Sequence, residues 1–216
     1  MKIFFLGFLV IFITSCASID SNRIAPGYKE AYISIKEAFF GTDNVIQPDL
    51  IRNIPYASML VRIGNGPRAL MILESINNED YSWVSADGVY LIINKGKIVK
   101  THGLTNNLID RLSSFEGWNN DLYTGEEFFS YDSYRNPVLN NLKVSSVYLQ
   151  KNKKTIELLL GNKELKLVEE RISSKEVGWF KVNKYWLDDN NFVWKSIQHV
   201  SPRLPEIHIE VTKKPR

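Results

Sequence analysis

Cysteine is nearly missing: Cys16 is the single thiol in 216 residues, which excludes a disulfide framework and a cysteine-rich zinc cluster. Charge of one sign is missing too, with 27 Lys and Arg against 24 Asp and Glu. The short basic clusters, Lys151 with Lys153 and Lys154, and Lys213 with Lys214 and Arg216, read as solvated turns and tail. No concentrated basic face exists for nucleic acid. The longest apolar run, Ile3 to Ile13, falls short of the ~20 residues that a membrane-spanning helix needs. With only 8 Pro and 12 Gly, and 44% hydrophobic residues, the chain is neither collagen-like nor low in complexity, and it can bury a core.

Catalytic signatures are equally scarce. Gly64-Asn65-Gly66-Pro67-Arg68-Ala69 matches G-x-G-x-x-A in letters, but Pro67 and the flanking strand patterns make it a hairpin turn. There is no G-x-S-x-G elbow, so Ser58 and Ser85 have no visible base. His102, His199 and His208 are scattered without ligand spacing, and Asp188-Asp189-Asn190-Asn191 lacks the rest of a calcium loop. No metal and no cofactor are expected.

The N-terminus carries an address. Met1-Lys2, the apolar run Ile3 to Ile13 and the small Thr14-Ser15 form a signal peptide over residues 1–15. Ile13-Thr14-Ser15-Cys16 resembles the lipobox of bacterial lipoproteins, in which the cysteine is acylated and becomes the mature N-terminus. Acyl chains beyond the first convert marginal membrane binding into stable anchoring. Ala17 in place of Asp implies, by the same resemblance, sorting to the outer membrane. Cleavage takes Lys2 from the formal +3 and leaves +2. Residues 16–24 form a lipidated tether, and 25–216 are read as one domain.

That domain opens with an amphipathic helix. Tyr28, Ala31, Tyr32, Ile35, Ala38 and Phe39 recur at helical spacing, with Pro26 and Gly41 as punctuation. Its polar face mixes signs, so burial against the domain is expected over a place on the membrane. From Ile54 the period becomes two: Ala57, Met59, Val61 and Ile63 share a face, and Gly64-Asn65-Gly66-Pro67 ends the run. Further strands are predicted over 68–75, 81–85, 89–93, 98–101, 143–149, 155–160, 164–172, 179–187, 192–200 and 207–211, with turns every eight to twelve residues. Residues 106–141 are expected to be a long irregular excursion with one helical turn at Leu108 to Leu112. The fold predicted is mainly β, an antiparallel meander curled into a barrel-like sheet that hides its edges.

Aromatics are the one enriched resource, with five Trp, ten Tyr and eleven Phe. Trp83 and Trp118, near turn-rich or irregular segments, are the candidate glycan contacts, and core packing is the competing role for both. Carboxylates for glycoside cleavage would have to be assembled from residues such as Glu79, Asp80 and Asp87.

The dispersed motifs, taken in order, resemble one family. Ile54-Pro55-Tyr56-Ala57-Ser58, Gly64-Asn65-Gly66-Pro67, Trp83-Val84-Ser85-Ala86-Asp87-Gly88, Thr101-His102-Gly103-Leu104, Trp186-Leu187, Ser196-Ile197-Gln198, Pro202, Pro205 and Ile209-Glu210 are similar to the YjbF/GfcB lipoproteins of exopolysaccharide and group 4 capsule operons. Thr42, where Pro is expected, and Asn190-Asn191, where Gly is expected, depart from the pattern in loops only. The resemblance implies a barrel-like β fold and a non-enzymatic accessory role in producing, exporting or surface-assembling a polysaccharide. It further implies a periplasm-facing lipoprotein at the outer membrane. Its partners would be an operon-encoded outer-membrane β-barrel protein and a small periplasmic protein, with polysaccharide as a further ligand. A polysaccharide hydrolase or lyase is the alternative. Cys16 alone carries over as a functional position.

Overall fold

The computed structural model describes residues 48–119, 122 and 125–215. The signal segment 1–15, Cys16 with its tether and the helix expected over residues 28–39 lie outside the described residues.

A single turn of helix, α1 (Pro48–Arg52), leads into twelve strands: β1 (Ser58–Ile63), β2 (Ala69–Asn77), β3 (Asp80–Ser85), β4 (Tyr90–Asn94), β5 (Lys97–His102), β6 (Asn107–Ser113), β7 (Phe128–Arg135), β8 (Leu139–Leu158), β9 (Gly161–Ser174), β10 (Trp179–Leu187), β11 (Val193–Gln198) and β12 (Ile207–Lys213). They form one antiparallel sheet in the order β5-β4-β3-β2-β1-β12-β11-β10-β9-β8-β7-β6. Every neighbour in this order is a neighbour in sequence except β1 and β12, whose pairing (Met59 opposite Val211, Ile63 opposite Ile207) joins two meanders. The sheet curls until its ends, β5 and β6, lie side by side.

Alternation explains the interior. Met59, Val61, Met71, Trp83, Leu91, Ile93, Ile207 and Ile209 point inward and form the largest buried cluster. Across the barrel, Leu108, Tyr134, Leu142, Val144, Ile172 and Trp179 form another. The opposite phase of β1 and β2, Leu60, Leu70 and Ile72, is also buried, because Ile51 of α1, Ile54 and the β8–β9 turn residues Leu159 and Leu160 cover it.

That cover has a specific source. The β9–β10 ladder ends at Lys166 opposite Leu187, while β8 and β9 continue pairing with each other to Leu158 and Gly161. A free two-stranded hairpin is marginal in water. This one folds back over the outside of the sheet: Leu159 N donates to Glu210 Oε1 at 2.5 Å, and Lys163 Nζ lies 4.0 Å from the Trp194 ring centre.

The structure bears out the mainly β, barrel-like fold and corrects its details. The helical turn expected at Leu108 to Leu112 is strand β6, and the excursion expected over 106–141 contains β6, β7 and the start of β8. Ser114 to Glu127 and the short turn Asn136 to Val138 separate strands there. The expected break between 149 and 155 is a register shift between Gln150 and Lys153 inside one 20-residue strand.

Candidate functional site

The barrel is filled, and its filling is partly ionic. In β9, Val168, Glu170 and Ile172 occupy successive inward positions, so a carboxylate stands where the pleat demands an apolar side chain. Glu170, 2% exposed, is satisfied by five donors. Lys97 Nζ at 2.6 Å, Ser146 Oγ at 2.9 Å and Tyr148 Oη at 2.8 Å donate to Oε1. Asn183 Nδ2 at 2.9 Å and Tyr185 Oη at 2.7 Å donate to Oε2. Lys97 also donates to Tyr148 Oη at 2.5 Å.

A second pair lies on the neighbouring strands. Arg111 of β6 grips Asp132 of β7 bidentately, Nε to Oδ1 at 2.9 Å and Nη2 to Oδ2 at 2.6 Å, and Tyr134 Oη donates to Oδ2 at 3.1 Å. The planar fork suits a carboxylate better than an ammonium would.

These contacts set the protonation states. Burial alone would raise Glu170, but Lys97 and the donors from Lys97, Asn183 and Tyr185 outweigh it and hold the carboxyl at about 2. Burial pulls the Lys97 ammonium below the ordinary lysine range against the attraction of Glu170. Burial, then Glu170, pushes the Tyr148 and Tyr185 hydroxyls up, so both stay protonated donors. Burial works against the Arg111 charge, yet Asp132 keeps that guanidinium firmly protonated.

A depressed native carboxyl stabilises the fold above its unfolded pKa, and the stabilisation is lost as pH falls through the folded value. For Glu170 the window runs from 4.5 down to about 2. The shift is worth on the order of 3 kcal/mol. Urea unfolding at a series of pH values should show this acid limb in the native chain, and Glu170→Gln should lack it. The same limb in both would assign it to other carboxyls.

The seam between β5 and β6 carries no ladder among the described residues. Side chains close it instead. Thr101 Oγ1 accepts from Leu108 N at 2.9 Å, and Arg111 Nη1 donates to Ile98 O at 2.9 Å. Outside this seam, next to Lys97 and Arg111, lies a groove of about 350 Å³.

One end of the barrel holds a cleft of about 240 Å³ with a wall of Tyr81, Trp83, Ile93 and Phe192. Its rim includes Asn78, Lys95 and Asn191, three turn residues with φ of 55°, 48° and 60°. Asn tolerates this left-handed conformation; Lys accepts it at some cost. Lys95 repays it with three contacts: an ion pair to Glu79 at 3.0 Å, a bond from Nζ to Glu116 O at 2.9 Å, and its own carbonyl accepting Trp118 Nε1 at 2.6 Å. The β6–β7 connection is thereby pinned to the β4–β5 turn. It sends Trp118 and Leu122 among the inward residues Tyr148, Tyr185, Leu187 and Val193 as a plug.

Of the two sequence-derived glycan candidates, Trp83 is 3% exposed in the cleft wall and Trp118 is 7% exposed. Phe115, Tyr148 and Tyr185 surround the Trp118 ring, with centroids between 4.9 and 6.2 Å away. The structure does not bring the two together. Cys16 lies outside the described residues. Sequence reasoning missed Lys97, Arg111, Asp132 and Glu170, although Glu170 left a trace as a charge in the apolar phase of a strand. The carboxylates considered for glycoside cleavage have separate partners: Glu79 pairs with Lys95 at 3.0 Å, Asp80 accepts from Asn94 Nδ2 at 2.7 Å, and Asp87 accepts from Ser85 Oγ.

Fold and interior define a class: a nearly closed, twelve-stranded antiparallel barrel whose lumen is packed with side chains. A family model described as "Group 4 capsule polysaccharide lipoprotein gfcB, YjbF" matches residues 32–212, and the chain belongs to that family. It is 24% identical over 187 residues to the uncharacterized lipoprotein YjbF of Escherichia coli (strain K12), covering 80% of this chain and 82% of that one. It is 32% identical to the uncharacterized lipoprotein GfcB of the same strain over 76 residues, covering 35% and 36%. The crystal structure of the hypothetical lipoprotein YmcC from Escherichia coli (K12) superposes with a TM-score of 0.69 at 19% identity, covering 86% of this chain and 96% of that one. At that identity the likeness speaks for the fold.

Proposed function

We propose that this capsule-family lipoprotein is anchored through Cys16 to the outer membrane and faces the periplasm. There it assists the production, export or surface assembly of an exopolysaccharide or capsule by binding and not by bond chemistry. The observation that carries the reading is the family match over residues 32–212. The interior chemistry agrees with it. Glu170 is tied to Lys97 and to further donors that hold its carboxyl at about 2, so it is not a proton donor poised near neutral pH. The operon's outer-membrane β-barrel protein and its small periplasmic companion are the proposed partners. Trp83 would meet a sugar only within the cleft at the barrel end.

Deleting the gene and quantifying surface polymer tests this role; a strain with undiminished polymer contradicts it. Cys16→Ser is expected to move the protein from the envelope fraction to the soluble periplasmic fraction and to abolish palmitate incorporation. Retention at the membrane in that variant would remove the anchor from the account. Incubation of the purified protein with the polymer should yield no new reducing ends.

A further inference from the structure

The groove at the β5–β6 seam has the composition of a binding site. Its lips are contributed by four strands, β3 to β6, and carry both kinds of hydrogen-bonding group. Asp80 of β3 and Asn94 of β4 hold each other, Asn94 Nδ2 to Asp80 Oδ1 at 2.7 Å. Lys100 of β5 and Asp110 of β6 face the groove, both exposed, and neither has a side-chain partner among the described residues.

The floor is more unusual. It contains Lys97 and Arg111, two nearly buried cations that close the barrel wall where backbone pairing is missing. Each is fixed from behind by an interior carboxylate, which orients it at no cost when a ligand arrives. Each also has capacity left. Lys97 spends two of its three ammonium protons on Tyr148 and Glu170. Arg111 spends three of its five N–H groups on Asp132 and Ile98 O. The Phe115 ring adds an apolar surface at the same groove.

The charge pattern selects the ligand. Two lip carboxylates disfavour a phosphate or another compact anion, and three cations disfavour a divalent metal. A polyhydroxylated, uncharged ligand meets both signs at once, because each hydroxyl donates and accepts. A volume of about 350 Å³ falls within the range of small-ligand sites. We propose that the seam groove binds a short neutral stretch of polysaccharide, laid along β5 and β6 with hydroxyls on Lys100, Asp110 and the spare donors of Lys97 and Arg111. This deepens, and rests on, the polysaccharide role proposed above.

The probe is the producing strain's own surface polymer, cut to short oligosaccharides by mild acid and titrated calorimetrically into the full mature protein in detergent. Binding by the native protein that weakens at least tenfold in Lys100→Ala and in Asp110→Ala supports the proposal. Both side chains are exposed and have no partner among the described residues, so the variants are expected to keep the native melting temperature. Oligosaccharide binding that is equal in native protein and variants places the site elsewhere and overturns the groove, leaving the polysaccharide role intact. Absence of binding by the native protein, in a strain whose polymer falls on gene deletion, overturns the groove in the same way. Undiminished polymer on deletion overturns the role itself.

Discussion

Glu170→Gln is expected to cost about 3–5 kcal/mol, the usual penalty for removing one partner of a buried ion pair. For a chain of this size each kcal/mol lowers Tm by roughly 2–4 °C, so the melting temperature should fall by about 6–20 °C. The reason lies in the donor count. Glu170 accepts from Lys97, Ser146, Tyr148, Asn183 and Tyr185. The amide keeps the shape but loses the charge: with its oxygen toward Lys97, its NH2 faces the donors Asn183 Nδ2 and Tyr185 Oη, and the buried Lys97 ammonium is left without its counter-ion. Lys97→Met leaves the carboxylate with its four other donors, so its loss should be clearly smaller. The double variant should be less destabilised than the two single losses added together. Differential scanning calorimetry on the four proteins closes the cycle, and equal losses in the two single variants would refute the argument from donor number.

Gly96→Ala should be the next most damaging change, although it adds one methyl group. Gly96 has φ +82°, and an added Cβ would stand 2.3 Å from Val193 Cγ2 and 2.6 Å from Val193 Cβ. The left-handed backbone costs an L-residue roughly 1–2 kcal/mol. Overpacking against a β-branched neighbour in a filled barrel adds about 1–3 kcal/mol. The Gly96 carbonyl also accepts from Gln198 Nε2 at 2.9 Å, and the Gln198 Oε1 accepts from Ile98 N, so a displaced turn breaks a tie across the interior. Val193→Ala in the same chain removes the Cγ contacts but keeps the Cβ at 2.6 Å, so it should recover part of the steric cost and none of the conformational cost. Chemical denaturation of Gly96→Ala, Val193→Ala and their combination measures the coupling, and strictly additive losses would show that Val193 is not the obstacle.

Much of the fold could be read from alternation. β10 was delimited correctly by its pattern, and Met59, Val61 and Ile63 in β1 share their face as their spacing predicts. Alternation failed where the barrel puts charge inside. In β6 the inward Arg111 looks like a solvent residue, and register shifts at Leu108/Asp110 and Asp132/Tyr134 break the period of two, so β6 and β7 resemble an irregular excursion. The run Lys151-Asn152-Lys153-Lys154 looks like a turn because the arm of β8 is wet on much of its surface. The ionic cluster was hardly legible. Lys97 and Glu170 lie 73 positions apart, and no local spacing announces a pair that only curling of the sheet creates. Trp83 and Trp118 were visible as large aromatics; their burial follows from the inward phase of β3 and from the plug, and the plug leaves no periodic signal.

The pairing of β1 with β12 has a consequence for biogenesis. Met59 must wait for Val211, a partner synthesised some 150 positions later. During that interval the first meander has hairpin neighbours on one flank only, and β1 exposes a bare hydrogen-bonding edge that could template aggregation. A chain cut short anywhere before β12 therefore lacks its keystone, and a holding chaperone has a defined strand to protect until β12 arrives.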